Sequence, residues 1–459
     1  MKQISTLLFL MLLPVFVMAQ QQGATQEPTS FSLQEAIDYA LQENFNVKNA
    51  NLQRDLANAK KGEVRGSLLP QVSGAATYNH NFQVQKTILE NNPGSLTYTT
   101  TKPDGAPSAI QLGLPNQFVG ALNASQVLFD QAAFSAQGAA KVSDEISEKN
   151  ITRSKIDVSV NVTKAYYGVL VNEKQLLAIN KNLERVDSLY SETNARYQSG
   201  LARDVDRSRL QVSLNNIKEE KERVTRNVEL SRSILRYHLN LSESNPLQLK
   251  DSLYEGQINA IQASTNPDFN AFHENRIEYS IIKSQERLNL FDLRNTAAGR
   301  YPKLTAVGTI GYNPAATHLS DITQNARWQQ YSFVGLNLQV PIFSGFSLNY
   351  RIKQKKIQQQ ITENSKLSLE KEINLQVEQA LINLNNSLQS FRIQRDNIKL
   401  ADQNLQVLRA EYENGIAMNI EVITAEASLI DAQTNFFNAV YNVLVAKADY
   451  DKATGTILK

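Results

Sequence analysis

The sequence contains no cysteine in its 459 residues, which excludes disulfides, thiolate nucleophiles and cysteine-ligated zinc. Histidine is nearly as scarce: His80, His238, His273 and His318 each stand alone, so neither a metal nor a cofactor is expected. No block of like charge occurs, and Lys+Arg 47 nearly balances Asp+Glu 45, which gives no reason to expect nucleic acid as a partner. Nucleophile–base motifs, phosphate-binding loops and paired carboxylates are lacking, so an enzyme is not expected. Beyond the N-terminus no apolar run reaches about 18 residues, so no transmembrane helix is available. A membrane location would therefore require β-barrel strands. Proline is missing between Gln131 and Ser199, which leaves that stretch free to form one unbroken helix.

The N-terminus has the layout of an export signal. Lys2 supplies positive charge, Leu7 to Val17 is apolar, and Val17-Met18-Ala19 fits a small-x-Ala cleavage site. Residues 1–19 are expected to be removed, leaving Gln20 as the mature start.

The second half of the chain repeats the first. Ala195-Arg196-Tyr197-Gln198-Ser199-Gly200-Leu201 matches Ala410-Glu411-Tyr412-Glu413-Asn414-Gly415-Ile416. Leu69-Pro70-Gln71-Val72 likewise matches Tyr301-Pro302-Lys303-Leu304, at a larger offset than the first match. Val127-Leu128-Phe129 matches Pro341-Ile342-Phe343. Duplicated units pack on their own copies, so pseudo-symmetry is expected. The organisation read from this is a signal at 1–19, a first repeat over 20–240, a connecting segment over 241–265 and a second repeat over 266–455.

Each repeat opens with helix, followed by a strand pair. Ser32-Leu33-Gln34-Glu35 reads as a capping box, followed by a second helix from about Asn46 to Arg65. Strands are then expected at Val72–Val84 and Gln117–Phe129, and in the second copy at Lys303–Tyr312 and Tyr331–Ile342. Val334, Leu336, Leu338, Val340 and Ile342 alternate with Phe333, Gly335, Asn337 and Gln339. That period of two suits strands with lipid on one side and water on the other. The same alternation would also suit a soluble sandwich. The stretch from Pro70 to Phe129 is longer than its counterpart from Pro302 to Phe343, which accounts for the change of offset. The excess belongs in the loop carrying Asn91-Asn92-Pro93-Gly94 and Pro103-Asp104-Gly105.

A helical hairpin follows each pair, at 131–240 and 345–455. Val162, Val169, Leu176, Leu183 and Tyr190 recur every seven residues, and so do Val377, Leu384, Phe391, Ile398 and Leu405. Such seams predict long coiled-coil packing, with arms on the order of 100 Å. Four strands cannot close a barrel, whose usual minimum is about eight, so a barrel implies a homo-oligomer.

With these elements in this order, the chain resembles TolC-type outer-membrane efflux channels. The likeness rests on Ser32-Leu33-x-x-Ala36-x-x-x-Ala40-Leu41, Leu69-Pro70-Gln71, Pro341-Ile342-Phe343-Ser344-Gly345 and the duplicated Tyr-x-x-Gly tips. The resemblance implies a mixed, mostly α fold with antiparallel coiled-coil hairpins forming a periplasmic tunnel. Four strands per chain would contribute to a trimeric twelve-stranded transmembrane β-barrel. It further implies a Gram-negative outer-membrane location and partnership with outer-membrane lipid, a periplasmic adaptor and an inner-membrane transporter. The function implied is passive export of small molecules or proteins, as in multidrug export. The alternative is an exported coiled-coil structural or adhesive protein without channel activity.

By the same resemblance Gly200-Leu201 and Gly415-Ile416 would dock the adaptor, and Asp206 and Glu421, six residues after each glycine, would line the closed periplasmic mouth. Where the family often places a further acid, this sequence has Thr424. Arg203 and Asp204 lie beside the first tip, and Arg203 could pair with an acid to latch the mouth. The glycines also suit helix C-caps, and the acids also suit the first turn of the return helices, where they offset the helix dipole.

Overall fold

A computed structural model of the chain describes residues 29–88, 109–111, 113–253, 256, 258, 260–261, 269–324 and 328–457. The expected signal at 1–19 and the loop segments Asn91–Gly94 and Pro103–Gly105 lie outside these residues. In chain order the elements are β1 (Ser30–Phe31), α1 (Leu33–Glu43), α2 (Phe45–Gly66), β2 (Gln71–His80), β3 (Lys86–Ile88), β4 (Ala109–Gln111), β5 (Asn116–Phe129), α3 (Gln131–Gln198) and α4 (Asp204–Leu239). They continue with β6 (Gln248–Leu249), α5 (Phe269–Asn275), α6 (Ile277–Ala297), β7 (Lys303–Tyr312), β8 (Ala315–Ala316), β9 (Gln330–Gln339), α7 (Ser347–Glu413) and α8 (Asn419–Thr454). None of the described helices is long and apolar enough to cross a membrane.

The chain forms two compact units, each drawing segments from both repeats. One, the sheet unit, comprises Asn44–Val160, Gln262–Gln389 and Ala446–Lys459. Its main sheet has the order β2-β5-β7-β9, with the short β8 also against β5. All the long pairs are antiparallel. β7 covers the stretch expected for the second copy, Lys303–Tyr312. β9 stops at Gln339, so Val340 and Ile342, expected on its apolar face, lie beyond the strand. Pro341 is the cause, since it has no N–H with which to extend a ladder. β2 ends at His80, short of the expected Val84, where the His80 ring and the Tyr78 hydroxyl both meet Asn116 Oδ1 at 2.8 Å. A register shift between Val127 and Phe129 also breaks the alternation of β5 at its end.

Helices of the sheet unit pack tightly enough to dictate single residues. A Cβ at Gly138 would come within 2.2 Å of the Phe291 ring, so only glycine lets α3 and α6 approach this closely. Ile373, Val377 and Ala380 on α7 pack against Ala453 on α8, with Phe272 and Tyr279 alongside. Buried Arg276, which precedes α6, donates to Ala453 O at 3.1 Å, to Gln376 Oε1 at 3.0 Å and to Glu278 Oε2 at 3.0 Å. One guanidinium thus joins three helices through charge-assisted bonds.

The other, the helical unit, comprises Met1–Glu43, Asn161–Ile261 and Ser390–Val445. Its N-terminal edge holds the predicted capping box: Glu35 N donates to Ser32 Oγ at 3.3 Å and Ser32 N to Glu35 Oε2 at 2.8 Å. β1 pairs with β6 in parallel, a contact that two-residue strands give no pattern to foresee. Buried Tyr166 fixes this corner through its hydroxyl, 2.9 Å from Asp251 Oδ2 and 3.0 Å from Phe31 O. The heptad seams are interior in both repeats. Leu189 and Leu210 of the first copy close on Leu405, Val422, Ala425 and Leu429 of the second, with Tyr190, Ile398 and Tyr412 packed around them.

Candidate functional site: helix turns and a two-faced sheet

Each long hairpin reverses on a left-handed glycine, Gly200 at φ 75° and Gly415 at φ 74°. At the first turn Gly200 N donates to Tyr197 O at 3.0 Å and Leu201 N to Arg196 O at 2.8 Å. At the second, Gly415 N donates to Tyr412 O at 3.0 Å and Ile416 N to Glu411 O at 2.8 Å. This doubled pattern is a Schellman cap, in which positive φ lets two amides turn back onto the last helical carbonyls. The caps project Leu201 and Ile416 outward, 81% and 76% exposed.

The acids beside the turns have specific partners. Arg203 forks onto Asp206, Nε to Oδ2 at 2.8 Å and Nη2 to Oδ1 at 3.1 Å. That bonding raises the Arg203 guanidinium above its ordinary pKa. Asp204 pairs with Arg207 at 2.6 Å, and Arg207 lies over the Tyr197 ring at 4.5 Å. Glu421 Oε2 accepts from Met418 N at 2.7 Å, the bond a third-position acid makes at a helix start. Glu421 thus bonds the backbone at the start of its own helix, whereas Asp206 bonds the side chain of the residue that precedes its helix.

The structure also brings the two turns together, through contacts that the sequence did not foretell. Asn419 Nδ2 donates to Asp206 O at 3.2 Å. Thr193 Oγ1 and the Tyr412 hydroxyl are 3.3 Å apart, with Arg196 over the Tyr412 ring at 5.7 Å. Further along α3, Asn182 Nδ2 donates to Gln433 Oε1 at 2.6 Å, and Arg185 forks onto buried Glu426. The available signal was faint: Glu426 and Gln433 lie seven residues apart, at the spacing of the apolar seam.

In the sheet unit, ladder partners share a face. Val72, Ala124, Gly308 and Val334 are aligned across all four long strands, next to Gly74, Leu122, Ile310 and Ser332. Leu336 and Leu338 extend this apolar face, which is bare, with Val334 90% exposed. The opposite face carries Ser73, Asn123, Thr309, Asn337 and Gln339, and there Thr309 Oγ1 donates to Asn123 Oδ1 at 2.8 Å. Phe118 and Tyr312 bound the apolar face at one end, packed on Trp328 at centroid distances of 5.7 and 5.9 Å. At the other end of β5 stands the pair Phe129–Phe134, and beyond that of β9 the pair Phe343–Phe346. An apolar band between aromatic borders, backed by a polar face, has the makeup of a lipid-facing sheet.

A bare two-faced sheet joined to long helical hairpins defines a class of outer-membrane export channel. Residues 36–240 and 292–456 match the family described as outer membrane efflux protein, and the chain belongs to that family. It is 22% identical over 460 residues to the outer membrane protein TolC of Escherichia coli K12, covering 97% of this chain and 86% of that one. The proteases secretion protein PrtF of Dickeya chrysanthemi is 20% identical over 472 residues, covering 96% of this chain and 91% of that one. The fold is similar to the open state of the Neisseria gonorrhoeae MtrE outer membrane channel. There the TM-score is 0.71 at 19% identity, covering 93% of this chain and 89% of that chain.

Proposed function

We propose that the protein acts as a passive conduit. It is an outer-membrane channel of a tripartite efflux or secretion system, with a large periplasmic portion, and it moves solutes without chemistry of its own. The observation that carries this reading is the sheet, bare on its apolar face and unpaired at the outer edges of β2 and β9 among the described residues. Uncovered by any of the described residues, that face suits lipid, and the two open edges call for further strands. Because β2 and β9 run in opposite directions, β9 of one copy can pair antiparallel with β2 of the next. Such a head-to-tail contact closes into a ring. Three copies with four long strands each make a twelve-stranded barrel with the polar face inward.

In this reading the repeats at 20–240 and 266–455 are the evolutionary units, and α3, α4, α7 and α8 form a hollow coiled-coil tunnel. Leu201 and Ile416, presented by Gly200 and Gly415, are apolar knobs for adaptor helices. An inner-membrane transporter supplies the energy. Asp206 and Glu421 line the periplasmic mouth as a cation-favouring ring, and Arg203, flanked by Asp204, holds Asp206 in place. Multidrug or protein export both fit a conduit of this kind.

Fractionation and planar-bilayer recording test the reading. A heat-resistant trimer in the outer membrane that conducts is the expected result. Recovery of a soluble monomer after signal removal would overturn it and favour an exported structural or adhesive protein.

A further inference from the structure

The helical unit holds a cavity of about 450 Å³ between α3, α4 and α8, away from the turns. That volume lies within the range of small-molecule sites, roughly 300–1,000 Å³. Asn161, Gly168 and Asn172 line it from one face of α3, at the spacing that stacks side chains along a helix. Asn227, Ile234 and His238 repeat that spacing on α4, and Asn438 and Tyr441 come from α8 in the second repeat. The four asparagine amides and the Tyr441 hydroxyl make no hydrogen bond to any described residue. Elsewhere between these helices such groups are spent on each other, as Asn182 is on Gln433. Lys164 is the only permanently charged residue in the lining among the described residues, so a cation finds no carboxylate there. Burial pushes the His238 imidazole below its ordinary pKa, so at neutral pH it adds hydrogen bonding without charge.

Gly168 points the same way. Glycine weakens the middle of a helix, and α3 contains it only at Gly138 and Gly168. Packing against Phe291 demands the first. At Gly168 a Cβ would meet nothing nearer than Tyr441 Cε2 at 3.7 Å, an ordinary contact. The duplicated seam does not demand it either: Val162 and Val169 match Val377 and Leu384, whereas Gly168 matches Asn383. What glycine does here is keep the cavity wall free of a side chain.

We propose that this cavity binds a neutral sugar. A carboxamide can donate to one hydroxyl and accept from its neighbour, which suits the adjacent hydroxyls of a pyranose ring. Leu230 and Ile234, 61% and 44% exposed, stand in the lining to receive the C–H face of the ring. A purely apolar ligand would strip water from the amides without replacing their hydrogen bonds. The site is built inside one chain and goes beyond the channel reading above.

The test is titration of the purified full-length protein with maltose and with cellobiose, followed by calorimetry and ligand-observed NMR, in a detergent without a sugar headgroup. Saturable binding of at least one of these sugars, one molecule per chain, is the expected result. Asn172→Ala with Asn227→Ala should weaken it about tenfold or more, the loss expected for two hydrogen bonds. The melting temperature of that variant should not move, because neither amide bonds to the chain. Gly168→Leu should abolish binding by filling the space. Failure of both sugars to bind at millimolar concentration overturns the proposal, as does equal affinity in the unmodified protein and the double variant. Binding confined to glucuronate would assign the cavity to an anion drawn by Lys164 and overturn it too. None of these outcomes touches the channel reading, which bilayer recording decides separately.

Discussion

Arg185 on α3 holds Glu426 on α8 through two parallel bonds, Nε to Oε1 at 3.1 Å and Nη2 to Oε2 at 3.0 Å. The same Nη2 also reaches Asn182 Oδ1 at 2.7 Å. The Glu426 side chain is only 4% exposed, so one repeat supplies the sole cation bonded to a buried carboxylate of the other among the described residues. Removing one member of a buried pair strands the other charge, whereas replacing both with apolar residues can be neutral or stabilising.

Arg185→Met alone should destabilise the protein by about 3 kcal/mol or more. The double variant Arg185→Met with Glu426→Leu should recover most of that loss. Denaturant unfolding of all four members of the double-mutant cycle at fixed protein concentration checks this; additive effects would mean that the pair carries no coupling.

At the turns, Asp206→Ala and Glu421→Ala should each weaken single-channel block by di- and trivalent cations, because each deletes a carboxylate from the mouth. Unchanged block would leave both as helix-start acids. Arg203→Ala breaks an exposed pair, for which about 1 kcal/mol or less is expected. It should alter gating in low salt more than in high salt.

The two faces of the sheet should respond oppositely to charge. Val334→Arg on the bare apolar face should cost about 2–4 kcal/mol if that position lies near the bilayer midplane. It should also lower outer-membrane recovery. Asn337→Arg on the polar face should fractionate normally and change only conductance or ion selectivity. Equal loss for both variants would contradict the lipid-facing assignment.

Acid should loosen the helical framework through specific carboxylates. Glu145 is held below its usual value by the Lys149 hydrogen bond, with Ser284 and Arg287 assisting against burial. For Glu278, burial pushes upward, but the Arg276 hydrogen bond and charge leave it lowered. With folded pKa values below unfolded ones, this stabilisation is present above the ordinary carboxylate value of 4.5. It is lost as pH falls through the folded pKa values. Melting temperature should therefore drop below about pH 4.5, and Glu145→Gln should flatten that acid limb.

Sequence alone determined whatever depends on local periodicity or on one residue's backbone. The seven-residue seams of Val162–Tyr190 and Val377–Leu405 marked the long helices, because a helix buries one stripe whatever its partner. Gly200 and Gly415 marked the reversals, because a left-handed cap strongly favours glycine. The repeat gave β7 in full, and the alternation of β9 failed only where Pro341 removed a donor. Tertiary structure decided which side chains meet across distant stretches. Sequence spacing carries no record that Asn182 reaches Gln433, that Arg185 reaches Glu426, or that Asn419 reaches the Asp206 carbonyl. These pairs depend on the relative rotation and depth of separate helices, which is set by the packing of all of them at once. The tip acids show the division most plainly. Their position was legible six residues after each glycine, and Arg203 was legible as a partner for an acid, but that it takes Asp206 and that Glu421 bonds Met418 N emerged only when side-chain geometry chose among the groups within reach.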